Sequence, residues 1–96
     1  MMKKAFKIVS YLYIPLGTSE NTVNQILGDR FSNLSINSVE EREDEIAVDF
    51  DIIVEEESRE SADNNFLAAM NGYDVDNYNI LDFYQKNSER SILNNT

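Results

Sequence analysis

From Phe6 to Ile14 the chain alternates: Phe6, Ile8, Leu12 and Ile14 fall on one side of a period-2 pattern, and Lys7, Val9, Tyr11 and Tyr13 on the other. Successive side chains of a strand point to opposite faces, so this spacing predicts a first strand with one apolar face. Pro15, Gly17 and Thr18 break that ladder. Ser19 then stands where a helix N-cap belongs, ahead of Val23, Ile26, Leu27 and Phe31 at i, i+3, i+4 and i+8, with Gly28 marking the end of the helix. A second strand is predicted from Leu34 to about Glu41. Leu34 and Ile36 share one face there while Val39 falls on the other, a conflict that a bulge would remove.

The cleanest alternation runs from Glu45 to Glu55, where Ile46, Val48, Phe50, Ile52 and Val54 face Ala47, Asp49, Asp51, Ile53 and Glu55 across the strand. Arg42-Glu43-Asp44 before it reads as a hairpin turn. Ser58 or Ser61 caps a second helix whose Ala62, Phe66, Ala69, Met70 and Tyr73 form one stripe, closed by Gly72. An Asp- and Asn-rich turn follows. Tyr78 to Gln85, dense in aromatic and β-prone residues, predicts a fourth strand, with a helix carrying Ile80, Leu81 and Tyr84 on one stripe as the rival. Residues 1–85 thus read as a single α+β domain and residues 86–96 as a polar, frayed C-terminal tail.

The order strand, helix, strand, strand, helix, strand is that of the ferredoxin-like split β-α-β sandwich, an α+β fold with two helices on one face of a four-stranded antiparallel sheet. In that topology the first and third strands are central. The uncovered face then carries Lys7, Val9, Tyr11 and Tyr13 beside Ala47, Asp49, Asp51 and Ile53.

Charge changes the picture of that face. The 96 residues carry a net charge of −10, and the excess sits between Glu40 and Asp63, where twelve carboxylates meet only Arg42 and Arg59. So localised a charge makes a one-sided anionic surface, repelled by phosphates and by anionic lipid headgroups. Neither direct nucleic-acid binding nor membrane binding is expected. No apolar run approaches the ~20 residues of a membrane-spanning helix, and the N-terminal segment lacks the form of a signal peptide, so a cytoplasmic location is expected. Cysteine and histidine are both absent, which removes disulfides, thiolate chemistry, the commonest general base and the commonest transition-metal ligand.

Asp49, Asp51 and the run Glu55, Glu56 and Glu57 form a ladder of carboxylates whose alternate members on a strand lie ~7 Å apart. Such a ladder can imitate a row of phosphates. It can equally solvate an exposed sheet face and guard strand edges against aggregation. Tyr11 and Tyr13 on a central strand suggest the base-stacking sheets of RNA-binding domains, but a basic stripe to hold phosphates is missing, and a protein contact suits them better. Asp74 and Asp76 have the spacing that opens a calcium loop; Asn79 then replaces the required glycine and Gln85 the bidentate glutamate, so they read as a turn. Three glycines cannot build a phosphate-cradling loop, and the first loop holds none of the arginines an acylphosphatase of this fold would want. No catalytic residue, metal or cofactor is expected, and an enzyme is not the reading adopted.

In size, charge and sandwich-like layout the chain resembles the small acidic inhibitor proteins of phages and mobile elements, several of which mimic nucleic acid to occupy a host enzyme's channel. That resemblance implies a non-enzymatic binding protein whose partner presents a basic surface, contacted by Asp49, Asp51, Glu55, Glu56, Glu57, Tyr11 and Tyr13. The alternative is a structural or assembly subunit that pairs with its own copies through a sheet edge or through Tyr11, Tyr13 and Ile53.

Overall fold

The computed structural model describes residues 2–83. Its elements are β1 (Lys4–Pro15), α1 (Glu20–Gly28), β2 (Leu34–Glu41), β3 (Glu45–Glu56), α2 (Arg59–Ala69) and β4 (Asp74–Asp82). The strands form one sheet in the order β2-β3-β1-β4, with every neighbouring pair antiparallel. With both helices packed on one face, this is an α+β ferredoxin-like fold.

The register shows why one face closes. Ile8 lies opposite Ile52, Ser10 opposite Phe50, Leu12 opposite Val48 and Ile14 opposite Ile46. These side chains share the face on which α1 places Val23 and Leu27, and α2 places Phe66 and, at its C-cap, Met70, in one continuous core. Val54 is the exception among the five apolar residues of β3, being only half-buried near the strand's end. Phe66 is the hub, its ring centroid 6.0 Å from Phe31, 6.4 Å from Phe50 and 5.3 Å from Tyr78. Ser10 is the one polar residue buried in this layer among the described residues, and its hydroxyl donates to the Asp76 carbonyl at 3.2 Å. A buried hydroxyl left without a partner would cost about 1–3 kcal/mol, which this bond avoids.

Local chemistry sets the helix ends. The Ser19 Oγ accepts from the Thr22 backbone N–H, and the Ser58 Oγ from that of Ser61, each at 3.1 Å, so of the two serines considered for the second helix it is Ser58 that caps. Glu20 and Glu60 add negative charge to the first turns, where the helix dipole favours it. Arg30 serves the other ends of both helices, donating to the Ile26 carbonyl at 2.7 Å and the Ala69 carbonyl at 2.9 Å. Gly72 lies past the end of α2 and not at its cap: with φ of 91° it occupies the third position of the turn closed by the Tyr73 N–H on the Met70 carbonyl, which calls for a positive φ. Phe31 likewise lies beyond α1, yet packs on the core from the loop.

Two bulges separate the observed strands from simple alternation. Between Ile36 and Ser38 the β2–β3 register shifts by one, so that Leu34, Ile36 and Val39 all share one face, as the predicted bulge requires. The second was not anticipated. β4 begins at Asp74, four residues before the predicted start, because the Asp- and Asn-rich segment is strand and not turn. An extra residue there, with Asn77 at φ of 53°, shifts the β1–β4 register and brings Val75 and Tyr78 onto the same side. Tyr84, Gln85 and the predicted tail lie outside the described residues.

The Tyr78 hydroxyl donates to Asp63 on α2 at 2.7 Å, tying β4 to the helix layer. That bond to a carboxylate, with burial second, raises the phenol above its ordinary value. A raised folded-state value means stability that is complete below the unfolded phenol's pKa near ~10 and lost as pH rises through the raised one. Tyr78→Phe should therefore flatten the alkaline fall in melting temperature. An unchanged alkaline profile would show that the bond contributes nothing.

Candidate functional site: the open face of the sheet

The side of the sheet away from the helices is built from alternate residues of all four strands. Register places them in rows: Asn79, Val9, Asp51 and Ser35; then Asp76, Tyr11, Asp49 and Ser38; then Asp74, Tyr13, Ala47 and Glu40. Neighbouring strands lie about 4.7–4.9 Å apart and alternate residues along a strand about 7 Å. With Glu45 and Glu55 at the ends of β3, seven carboxylates share a face whose strands offer one cation, Lys7.

The tyrosines sit at its centre. Tyr11 and Tyr13 are both half-buried, their rings stacked with centroids 6.4 Å apart and 21° between planes. Ala47, on this outer face, is nevertheless only 3% exposed, because it is small and lies between Tyr13 and Glu40. The Arg42 guanidinium reaches back from the hairpin turn to within 5.7 Å of the Tyr13 ring centroid while donating to Glu40 at 2.9 Å. The Glu40 bond holds that guanidinium above its ordinary pKa.

The predicted contact residues divide. Tyr11, Tyr13, Asp49, Asp51 and Glu55 share the open face, and Ile53 lies there beside Lys7. Glu56 does not: β3 continues one residue past Glu55, and alternation turns Glu56 to the helix side with Val54. Glu57 lies in the bend between β3 and α2. Asp51 is on the face but occupied, its side chain 16% exposed, 4.0 Å from the Lys7 ammonium and accepting from the Asn37 amide at 3.1 Å. Asp74 and Asp76, read from the sequence as a turn, instead extend the acidic face across β4, one residue to the outer side of each tyrosine. The signal was present as apolar Val75 between two aspartates, a three-residue alternation cut short by the bulge.

Among the described residues, ion pairs reach only Glu40 and Asp51 of the twelve carboxylates between Glu40 and Asp63. Like charges held on one surface raise the energy of the folded state. Raising salt from low to moderate concentration should therefore raise the melting temperature. A flat or falling trend would mean that internal partners already neutralise the stretch.

No known family model, curated protein or solved structure matches the chain. The chemistry of the face has to be read from its own side chains: acceptors and negative charge at the periphery, stacked aromatic surface in the middle. No helix among the described residues is long and apolar enough to cross a membrane.

Proposed function

We propose that the chain is a non-enzymatic binding protein whose open sheet face docks on a basic, nucleic-acid-handling surface of a partner protein and occupies it in place of the polyanion. The observation that supports this most is the convergence of Glu40, Glu45, Asp49, Glu55, Asp74 and Asp76 on the one face left uncovered by helices. Segments distant in sequence, β2–β3 and β4, add to the same surface, where Lys7 is the one cation that the strands supply. Alternate carboxylates of one strand, Asp49 and Asp51 on β3 and Asp74 and Asp76 on β4, lie about 7 Å apart and make short rows of negative charge of the kind a phosphate backbone presents. An inhibitor encoded by a phage or mobile element and acting in the host cytoplasm fits this character.

A second reading has one observation in its favour. Val39 is 51% exposed on β2, an edge strand whose outer side, away from β3, has no partner among the described residues, and such an edge can pair with another copy. The bulge within β2 and the charges of Glu40 and Glu41 oppose flat edge-to-edge pairing. Salt separates the two: electrostatic docking weakens steeply as salt rises, while pairing through an apolar edge does not. Sedimentation across a salt series measures self-association; capture of lysate proteins on the immobilised chain, eluted with a salt gradient, measures docking.

A further inference from the structure

We infer that the centre of the open face is an arginine-recognition site, in which a partner's guanidinium lies on the Tyr11 ring between Asp49 and Asp76. The inference rests on the docking face proposed above and names the side chain that it selects. Register sets Asp49 on β3 and Asp76 on β4 directly opposite Tyr11 from its two sides. Directly opposed residues of antiparallel strands have Cβ atoms about 4.5–5.5 Å apart, which puts a carboxylate on each side of the ring. A planar cation over an aromatic face gains from the ring's quadrupole, and a guanidinium can donate in its own plane to carboxylates at the same time. Arg42 already shows the mode within the chain, its guanidinium over Tyr13 and its Nε donating to Glu40. Tyr11 has the same kind of surroundings, and no cation is placed over it among the described residues. Asp76 keeps acceptor capacity despite its 2.7 Å bond from the Asn77 N–H, since a carboxylate offers about four lone-pair positions.

Arginine should therefore be preferred to lysine at equal charge. An ammonium is attracted by the same field, yet it cannot stack flat on the ring and donate to both flanking carboxylates from one plane. Titration with two short peptides, one with two arginines spaced by glycine and the other its lysine counterpart, followed by NMR of the tyrosine ring protons, reads the difference. The arginine peptide should bind at least about threefold more tightly, with its shifts concentrated on Tyr11. Tyr11→Leu should equalise the two peptides, and Tyr11→Phe should retain the preference because it keeps the ring. Arg42→Ala, which uncovers Tyr13, should widen the arginine preference and does not depend on the folding of any Tyr11 variant. Equal binding of the two peptides by the unaltered protein, a preference that survives Tyr11→Leu, or an unaltered ratio in Arg42→Ala would each overturn the inference while leaving the docking face standing. Failure of both peptides to bind at low salt would overturn the docking face itself.

Discussion

Truncating Phe50 to alanine should destabilise the protein by ~3–5 kcal/mol, the usual cost of deleting a fully buried aromatic ring. Phe50 is 0% exposed, opposes Ser10 at the middle of β1 and touches the aromatic group around Phe66 that fixes α2 to the sheet. The Ser10 hydroxyl limits relaxation into the space, because moving β1 inward would strain its bond to Asp76. Folded stabilities of small domains are about 5–15 kcal/mol, so the variant should lose a large share of its margin. Urea unfolding followed by circular dichroism measures this. A loss under 1 kcal/mol with an unchanged slope would contradict the placement of the core.

Reversing Asp49, Glu55 and Asp74 to lysine should abolish docking on a basic partner while leaving the fold in place. All three lie on the open face, and none accepts a hydrogen bond from another described side chain. Asp51 and Glu56 belong outside that set: a lysine at 51 would confront Lys7 and abandon Asn37, and one at 56 would sit on the helix side next to Lys4. A face of one sign accelerates encounter with an oppositely charged groove by roughly 10–10³-fold, and the acceleration falls steeply with ionic strength. Association rates at low salt should drop by about that range in the triple variant, measured by stopped flow or surface-bound kinetics. An unchanged rate would mean that the acidic face takes no part in the encounter.

Element order was legible because β1 and β3 obey a strict period of two and both helices announce their starts with a serine. β3 was the clearest, since its five apolar positions have no interruption. Even the conflict in β2 was readable, as the mismatch of Val39 with Ile36 could be reconciled only by an inserted residue. β4 was obscured for the same physical reason without the same remedy. The bulge at Asn77 lies within Asp-Asn sequence that also suits a turn, so the local composition outweighed a short alternation whose apolar members, Val75 and Tyr78, appeared out of phase. That error removed Asp74 and Asp76 from the acidic face, since their position depends on pairing with Tyr11 and Tyr13, some sixty residues earlier. Glu56 failed differently. A run of three glutamates looks continuous in sequence, but adjacent strand residues face opposite ways, and the run straddles the end of β3. The engagement of Asp51 was invisible too, as its partners Lys7 and Asn37 come from two different strands.

Competition tests the central claim most directly. With the protein immobilised, a bacterial lysate applied at low salt and the column then challenged with duplex DNA or with RNA, the account predicts that retained proteins are displaced by the nucleic acid, and that a column carrying the Asp49, Glu55 and Asp74 reversals retains none of them. Retained proteins that neither DNA nor RNA displaces at low salt would contradict it.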